Sequence, residues 1–178
     1  MLKDKALNLL RDVSPYGIPL ENHCLRLAEI SKELCKIEQI SIDEDLLYAA
    51  CYLHDIGLCV KEPDEKNYLK RGLRYIQPKV NDWALSPDQV KFLEDVMLFS
   101  HSLPQMSSGG KEGDLVRRAV RVEHSFGRIT EGLDRKTIKA IFKTYPRTGF
   151  NKVLLSFFRI ALFEDSLKEL PRIFFPRP

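Results

Sequence analysis

The chain has no apolar run long enough to cross a bilayer, which takes about 20 residues. Its most apolar window, Val153 to Phe163, is broken by Arg159 and reads as a core helix. No charge of one sign dominates, since 28 Lys and Arg stand against 25 Asp and Glu for a net +3. Recognition of a polyanion would therefore need a local cluster, and no nucleic-acid polymer is expected as a partner. There is no Cys-x-x-Cys pair among Cys24, Cys35, Cys51 and Cys59, which lie in apolar helical stretches or just beyond one. With no secretion signal at the N-terminus, reduced thiols in a cytoplasmic protein are expected, and Cys24 and Cys51 read as core packing rather than catalysis. No internal repeat, useful heptad run or low-complexity segment suggests a second domain.

What is present is ordinary for a folded domain: 178 residues, 44% apolar and 30% charged, enough for one domain with a substantial core. Apolar residues recur at spacings of three and four almost throughout, while strict two-residue alternation is hard to find, so the expected class is all-α. Start and stop signals predict helices near 2–13, 19–38, 43–56, 64–77, 86–100, 112–127, 134–144 and 151–169. Two starts read as capping boxes, Ser41-Ile42-Asp43-Glu44 and Ser86-Pro87-Asp88-Gln89, the second with proline at the first helical position. Pro15-Tyr16-Gly17, Gly57, Pro78, Pro104, Gly132 and Pro146 punctuate the loops. The interval from Leu103 to Gly113, rich in Gly and Ser, is the one expected flexible loop.

Against this background the chemistry concentrates in four histidines. His54-Asp55 closes the apolar run Leu46-Leu47-Tyr48-Ala49-Ala50-Cys51-Tyr52-Leu53 and is followed by Ile56-Gly57. A carboxylate there must meet a helix N-terminus or a cation, and a divalent cation satisfies a neutral imidazole and an ionised carboxylate together. His23 shares a helical stripe with Leu20, Leu27 and Ile30 and would point inward, either as a ligand or as a core histidine bonded to a carbonyl. His101 ends a helix before the Gly/Ser interval, where it would either cap the dipole or face the same site.

His23 within Glu21-Asn22-His23-Cys24-Leu25-Arg26-Leu27-Ala28, followed by Leu46 to Leu58 around His54-Asp55, resembles the HD-domain superfamily of metal-dependent phosphohydrolases. The stretches Gly127 to Asp134 and Tyr145 to Asn151 resemble uncharacterised bacterial and fungal members. The resemblance implies an HD-like multi-helix bundle over about residues 18–170, with His23, His54 and Asp55 as metal ligands and His101 near the metal or substrate. The last ligand of the family comes from a pattern like Arg-Ala-Asp, and here the matching stretch is Arg118-Ala119-Val120. Valine cannot ligate. Glu123 and His124, three and four residues on, return to nearly the same helix face, and Glu123 is taken as the fourth metal ligand. An incomplete site of His23, His54, Asp55 and water, and a degenerate site without metal, stand beside that version.

With a metal bound, the resemblance implies a phosphohydrolase of a small molecule, nucleotides leading, with Asp55 and His101 as the catalytic pair. Arg26, Arg117 and Lys111 are the cations expected at the substrate. Mn, Fe, Co, Ni and Zn all suit mixed imidazole and carboxylate ligation. Hydration of a small nitrile-like substrate, as in cyanamide hydratases on an HD-like scaffold, and a decayed HD-fold binding protein are the alternatives. The apolar tail Ile173-Phe174-Phe175-Pro176 is expected to pack on its own helices or in a homodimer.

Overall fold

The computed structural model describes residues 1–61, 64–103, 110–160 and 170–175, and every regular element among them is helical. The helices are α1 (Leu2–Val13), α2 (Ile18–Glu38), α3 (Glu44–Leu53), α4 (Tyr68–Val80), α5 (Pro87–Phe99), α6 (Gly110–His124), α7 (Arg135–Thr144), α8 (Phe150–Arg159) and the short α9 (Leu170–Phe174). Short 3-10 turns cover Ile56–Leu58 and Asn81–Trp83. No described helix is long and apolar enough to cross a membrane.

Local chemistry sets most of the starts. Ser86 caps α5 as expected: its hydroxyl accepts from the Gln89 amide at 3.2 Å, and the Gln89 side chain answers at the Ser86 amide at 2.9 Å. At α3 the cap is Asp43 rather than Ser41, because the Asp43 carboxylate itself takes the amides of Asp45 and Leu46. Asn67 does the same for α4 and Asp134 for α7.

Three boundaries differ from the sequence reading in ways that matter. α3 stops at Leu53, so His54 sits at its C-cap and Asp55 opens the following 3-10 turn, instead of both lying inside a helix to 56. α4 starts at Tyr68, not 64, and runs through Pro78 to Val80; proline removes one intrahelical donor near the end, where the helix is about to stop. α6 begins at Gly110, so the expected loop is shorter than Leu103 to Gly113, and residues 104–109 lie outside the described set. Much of the expected helix 151–169 lies there too, beyond Ile160.

Buried apolar side chains from Ala6 to Ile173 form one cluster. At its centre α2, α3, α5 and α6 close a ring, since α2 packs on α3, α3 on α5, α5 on α6 and α6 back on α2; α1 lies against α3, and α7 and α8 against α2. Leu27, Ile30 and Leu34 of α2, Leu47 and Leu53 of α3, Leu93 and Met97 of α5, and Val116 and Val122 of α6 fill it with no exposure at all. In the tail Ile173 joins this core while Phe175 stays exposed. The turn after Asp55 is pressed onto α4: a Cβ on Gly57 would lie 1.9 Å from the Tyr68 carbonyl oxygen, and Arg71 Nε donates to the Gly57 carbonyl at 2.8 Å.

Candidate metal centre

Each helix of the central ring supplies one histidine. His23 comes from the second turn of α2, His54 from the end of α3, His101 from just past α5, and His124 from the last residue of α6. The rings neighbour one another in the same order as the helices: His23 to His54 at 5.3 Å between centroids, His54 to His101 at 5.6 Å, His101 to His124 at 5.6 Å, and His124 to His23 at 5.7 Å. All four histidines of the chain thus meet at one end of the bundle.

Asp55 is the anion among them. Its Oδ2 lies 3.1 Å from His54 Nε2 and 3.7 Å from His23 Nε2, while its Oδ1 lies 3.0 Å from His101 Nε2. Burial alone would raise this carboxyl, but His54 and His101 beside it, the latter within hydrogen-bond distance, hold it well below the usual carboxylate range. His124 is pushed down to about 3 by burial and by His101 and His23, so it stays neutral. It and His101 form the more open side of the ring, with side chains 34% and 10% exposed, whereas His23 and His54 are sealed.

The donor set fits a divalent cation. His54 Nδ1 lies 2.7 Å from the Cys51 carbonyl oxygen, which can only accept, so the proton is on Nδ1 and the Nε2 lone pair faces inward. That Nε2 stands 3.4 Å from His23 Nε2, with the ionised Asp55 against both. Three electron pairs converging in a dry core repel one another unless an electrophile lies between them. Separations of 3.1–3.7 Å match donors held at about 2.1 Å around one ion. His23, His54 and Asp55 form one candidate metal-holding group, and His23, Glu123 and His124 another.

The other residues singled out in the sequence are placed differently. Val120 is buried on α6, one turn before His124. Glu123 is fully buried behind His23, 3.3 Å from Nδ1 rather than on the Nε2 side. Its Oε1 takes Arg26 Nε at 3.0 Å, Arg26 Nη2 at 2.7 Å and Arg147 Nη1 at 2.5 Å, which does not suit the role of fourth ligand. The same contacts remove Arg26 from the substrate side, because its guanidinium has no exposure and its Nη1 goes to the carbonyls of Tyr145 and Pro146. Arg117 is tied to Asp114 at 2.7 Å and reaches the Leu103 carbonyl. Lys111 is exposed in the first turn of α6, roughly 20 Å along the axis from His124. Of these cations, none stands free at the histidine ring.

Sequence reasoning passed over Arg147 and Phe150. Phe150 stacks on His23 at 4.3 Å and 14°, and Arg147 lies over the rings of Phe126 and Phe150 at 4.1 and 5.0 Å. Arg147 sits in, and Phe150 directly follows, a turn whose Pro146 and Gly149 explain themselves as turn formers, and nothing local signals that Arg147 reaches back to Glu123 or Phe150 to His23.

A family model described as HD domain matches residues 20–141. That span runs from just before His23 on α2 to Ile141 on α7 and includes all four histidines. Searches of curated proteins and of solved structures return no match.

Proposed function

The chain belongs to the HD-domain family, and from that premise we propose that it is a metal-dependent hydrolase of a small phosphorylated molecule, with nucleotides the leading class. The observation that carries the reading is the convergence of His23 Nε2, His54 Nε2 and Asp55 Oδ2 within 3.7 Å of one another in a sealed part of the core. These three residues are the ion-holding set. When bound, a divalent ion supplies Lewis acidity, bringing the pKa of a water towards neutrality and offsetting charge on a phosphoryl oxygen. Asp55 presents its second oxygen to His101 at 3.0 Å, so His101 holds a proton beside the reacting region and orients the carboxylate. The substrate enters at the open side of the ring, between His101 and His124.

A second reading follows from the arginines. Arg26 and Arg117 are engaged inside the protein and Lys111 is distant, which suits hydration of a small uncharged nitrile-like substrate better than capture of a highly charged phosphate. Elemental analysis of protein purified without chelator, beside the H54A/D55A double variant, is the first test. Near-stoichiometric metal in the parent and none in the variant is expected, followed by phosphate release in a nucleotide and phosphomonoester panel. Turnover of nitriles in place of phosphates moves the assignment to the second reading. A folded parent that holds no metal and takes none up on titration overturns both.

A further inference from the structure

We propose that Glu123 is a positioning residue for His23, fixing the imidazole with its proton on Nδ1 so that Nε2 faces His54 and Asp55, and that Arg26 and Arg147 hold Glu123 in place to do so. The inference rests on the reading of His23, His54 and Asp55 as the ion-holding set.

A carboxylate in the apolar interior of α6 needs partners, and Glu123 has two guanidinium groups from distant parts of the chain. Oε1 accepts three N–H groups, two from Arg26 and one from Arg147. Arg147 Nη1 also donates to the Glu123 carbonyl at 2.8 Å, and Arg26 Nη1 donates to the carbonyls of Tyr145 and Pro146. The carboxylate is therefore ionised, immobile and already faced by two cations. A metal ion placed on it would meet both guanidinium charges, so Glu123 acts through a neighbour rather than as a ligand.

That neighbour is His23. Its ring is sandwiched between Phe150 at 4.3 Å and His124 at 5.7 Å, nearly parallel to each, so the imidazole plane is set by packing. Its Nδ1 edge faces Glu123 Oε1 at 3.3 Å. Nδ1 is buried and makes no hydrogen bond, and Glu123 Oε2 is likewise buried and unbonded, so a nitrogen and an acceptor on facing residues both stand unsatisfied. A lone pair on Nδ1 would oppose the carboxylate in a dry environment; a proton there satisfies both atoms. The Nε2 lone pair is then fixed towards His54 and Asp55. A carboxylate behind a metal-facing imidazole fixes its tautomer and raises its basicity.

Cobalt(II) titration of the parent, E123Q and D55A, read by visible absorption, tests this with imidazole ¹H–¹⁵N correlation spectra of the metal-free proteins. E123Q is expected to keep the parent's stoichiometry and band positions while binding about 10–100-fold more weakly. In the metal-free parent and in E123Q, His23 is expected to carry a proton on Nδ1, and in E123A to lose that preference. R147K gives the same comparison in milder form should E123A fail to fold. Loss of binding in E123Q as complete as in D55A, or an altered cobalt band, makes Glu123 a ligand and overturns the proposal. So do unchanged affinity and an unchanged tautomer in E123A. A parent that takes up no cobalt defeats the ion-holding reading, while the metal-free spectra still decide whether Glu123 sets the tautomer.

Discussion

Val120 is where this chain departs from the pattern it otherwise follows, and replacing it tests what the departure means. The side chain is buried on α6, on the same face as Glu123 and His124. V120D should lower the melting temperature of metal-free protein, because it buries a carboxylate in place of an apolar side chain of the core. It should also tighten metal binding relative to the parent, so that added metal raises its melting temperature by more. An equal metal response in both proteins would show that position 120 does not look onto the ion. The cysteines and tyrosines lead to a different outcome at the same scale. Burial pushes the Cys59 thiol up to about 12 and raises Cys35, Cys51, Tyr48 and Tyr52. Such groups ionise in the unfolded chain first, so the unfolded state binds fewer protons and stability falls as pH rises above about 9. Chemical denaturation midpoints should drop between pH 8 and pH 10, and a thiol reagent at pH 8 should react slowly with native protein and with all four cysteines once it is unfolded. His54 and Asp55 were legible from the sequence because a polar pair beside a buried helix demands a partner. Arg26 and Glu123 were read separately, one as a substrate and one as a metal residue, because their partnership spans 97 positions, and no local pattern encodes that.

At the scale of elements, the 3-10 turn after Asp55 depends on glycine for a steric reason and not a conformational one. Gly57 and Gly72 approach so closely that a Cβ on Gly57 would overlap the backbone of Tyr68 and of Gly72. G57A should therefore cost about 3 kcal/mol or more, at the upper end of what overpacking does. Metal affinity should fall with it, since the turn carries Asp55. Gly113, within α6 and with nothing near its missing Cβ, is the matched control: G113A should stabilise by about 0.5–1 kcal/mol. Urea unfolding of the two variants checks both signs, and equal effects would mean that backbone entropy rather than the Gly57 contact governs the turn. Helix existence was well marked in the sequence by apolar spacing and by caps such as Ser86. Helix ends were not, as α3 and α4 show: Pro78 was read as a stop although the helix continues to Val80, because a proline this near the C-terminus sacrifices little. Gly57 was read as punctuation because a close approach between two segments is not written in either one.

For the molecule as a whole, the histidine ring and the ring of α2, α3, α5 and α6 are one design. Periodicity states which face of each helix is apolar, but the order in which four faces close on one another is fixed only by packing, so the sequence pointed to these histidines without giving the cycle they form. The cycle ties function to stability. His23 and His54 lie on elements whose helices must stay docked for their Nε2 atoms to remain 3.4 Å apart, and the unfolded chain has no such site. An ion that binds only the folded state adds RT ln(1 + [L]/Kd), about 2.7 kcal/mol at a hundred times Kd. For a chain of this length that corresponds to a rise in melting temperature of roughly 5–10 °C. Chelation should reverse the rise, and the H54A/D55A variant should melt at the same temperature with and without chelator. A variant that keeps the full metal-dependent shift would place the stabilising ion elsewhere on the molecule and separate the bundle's stability from its histidine ring.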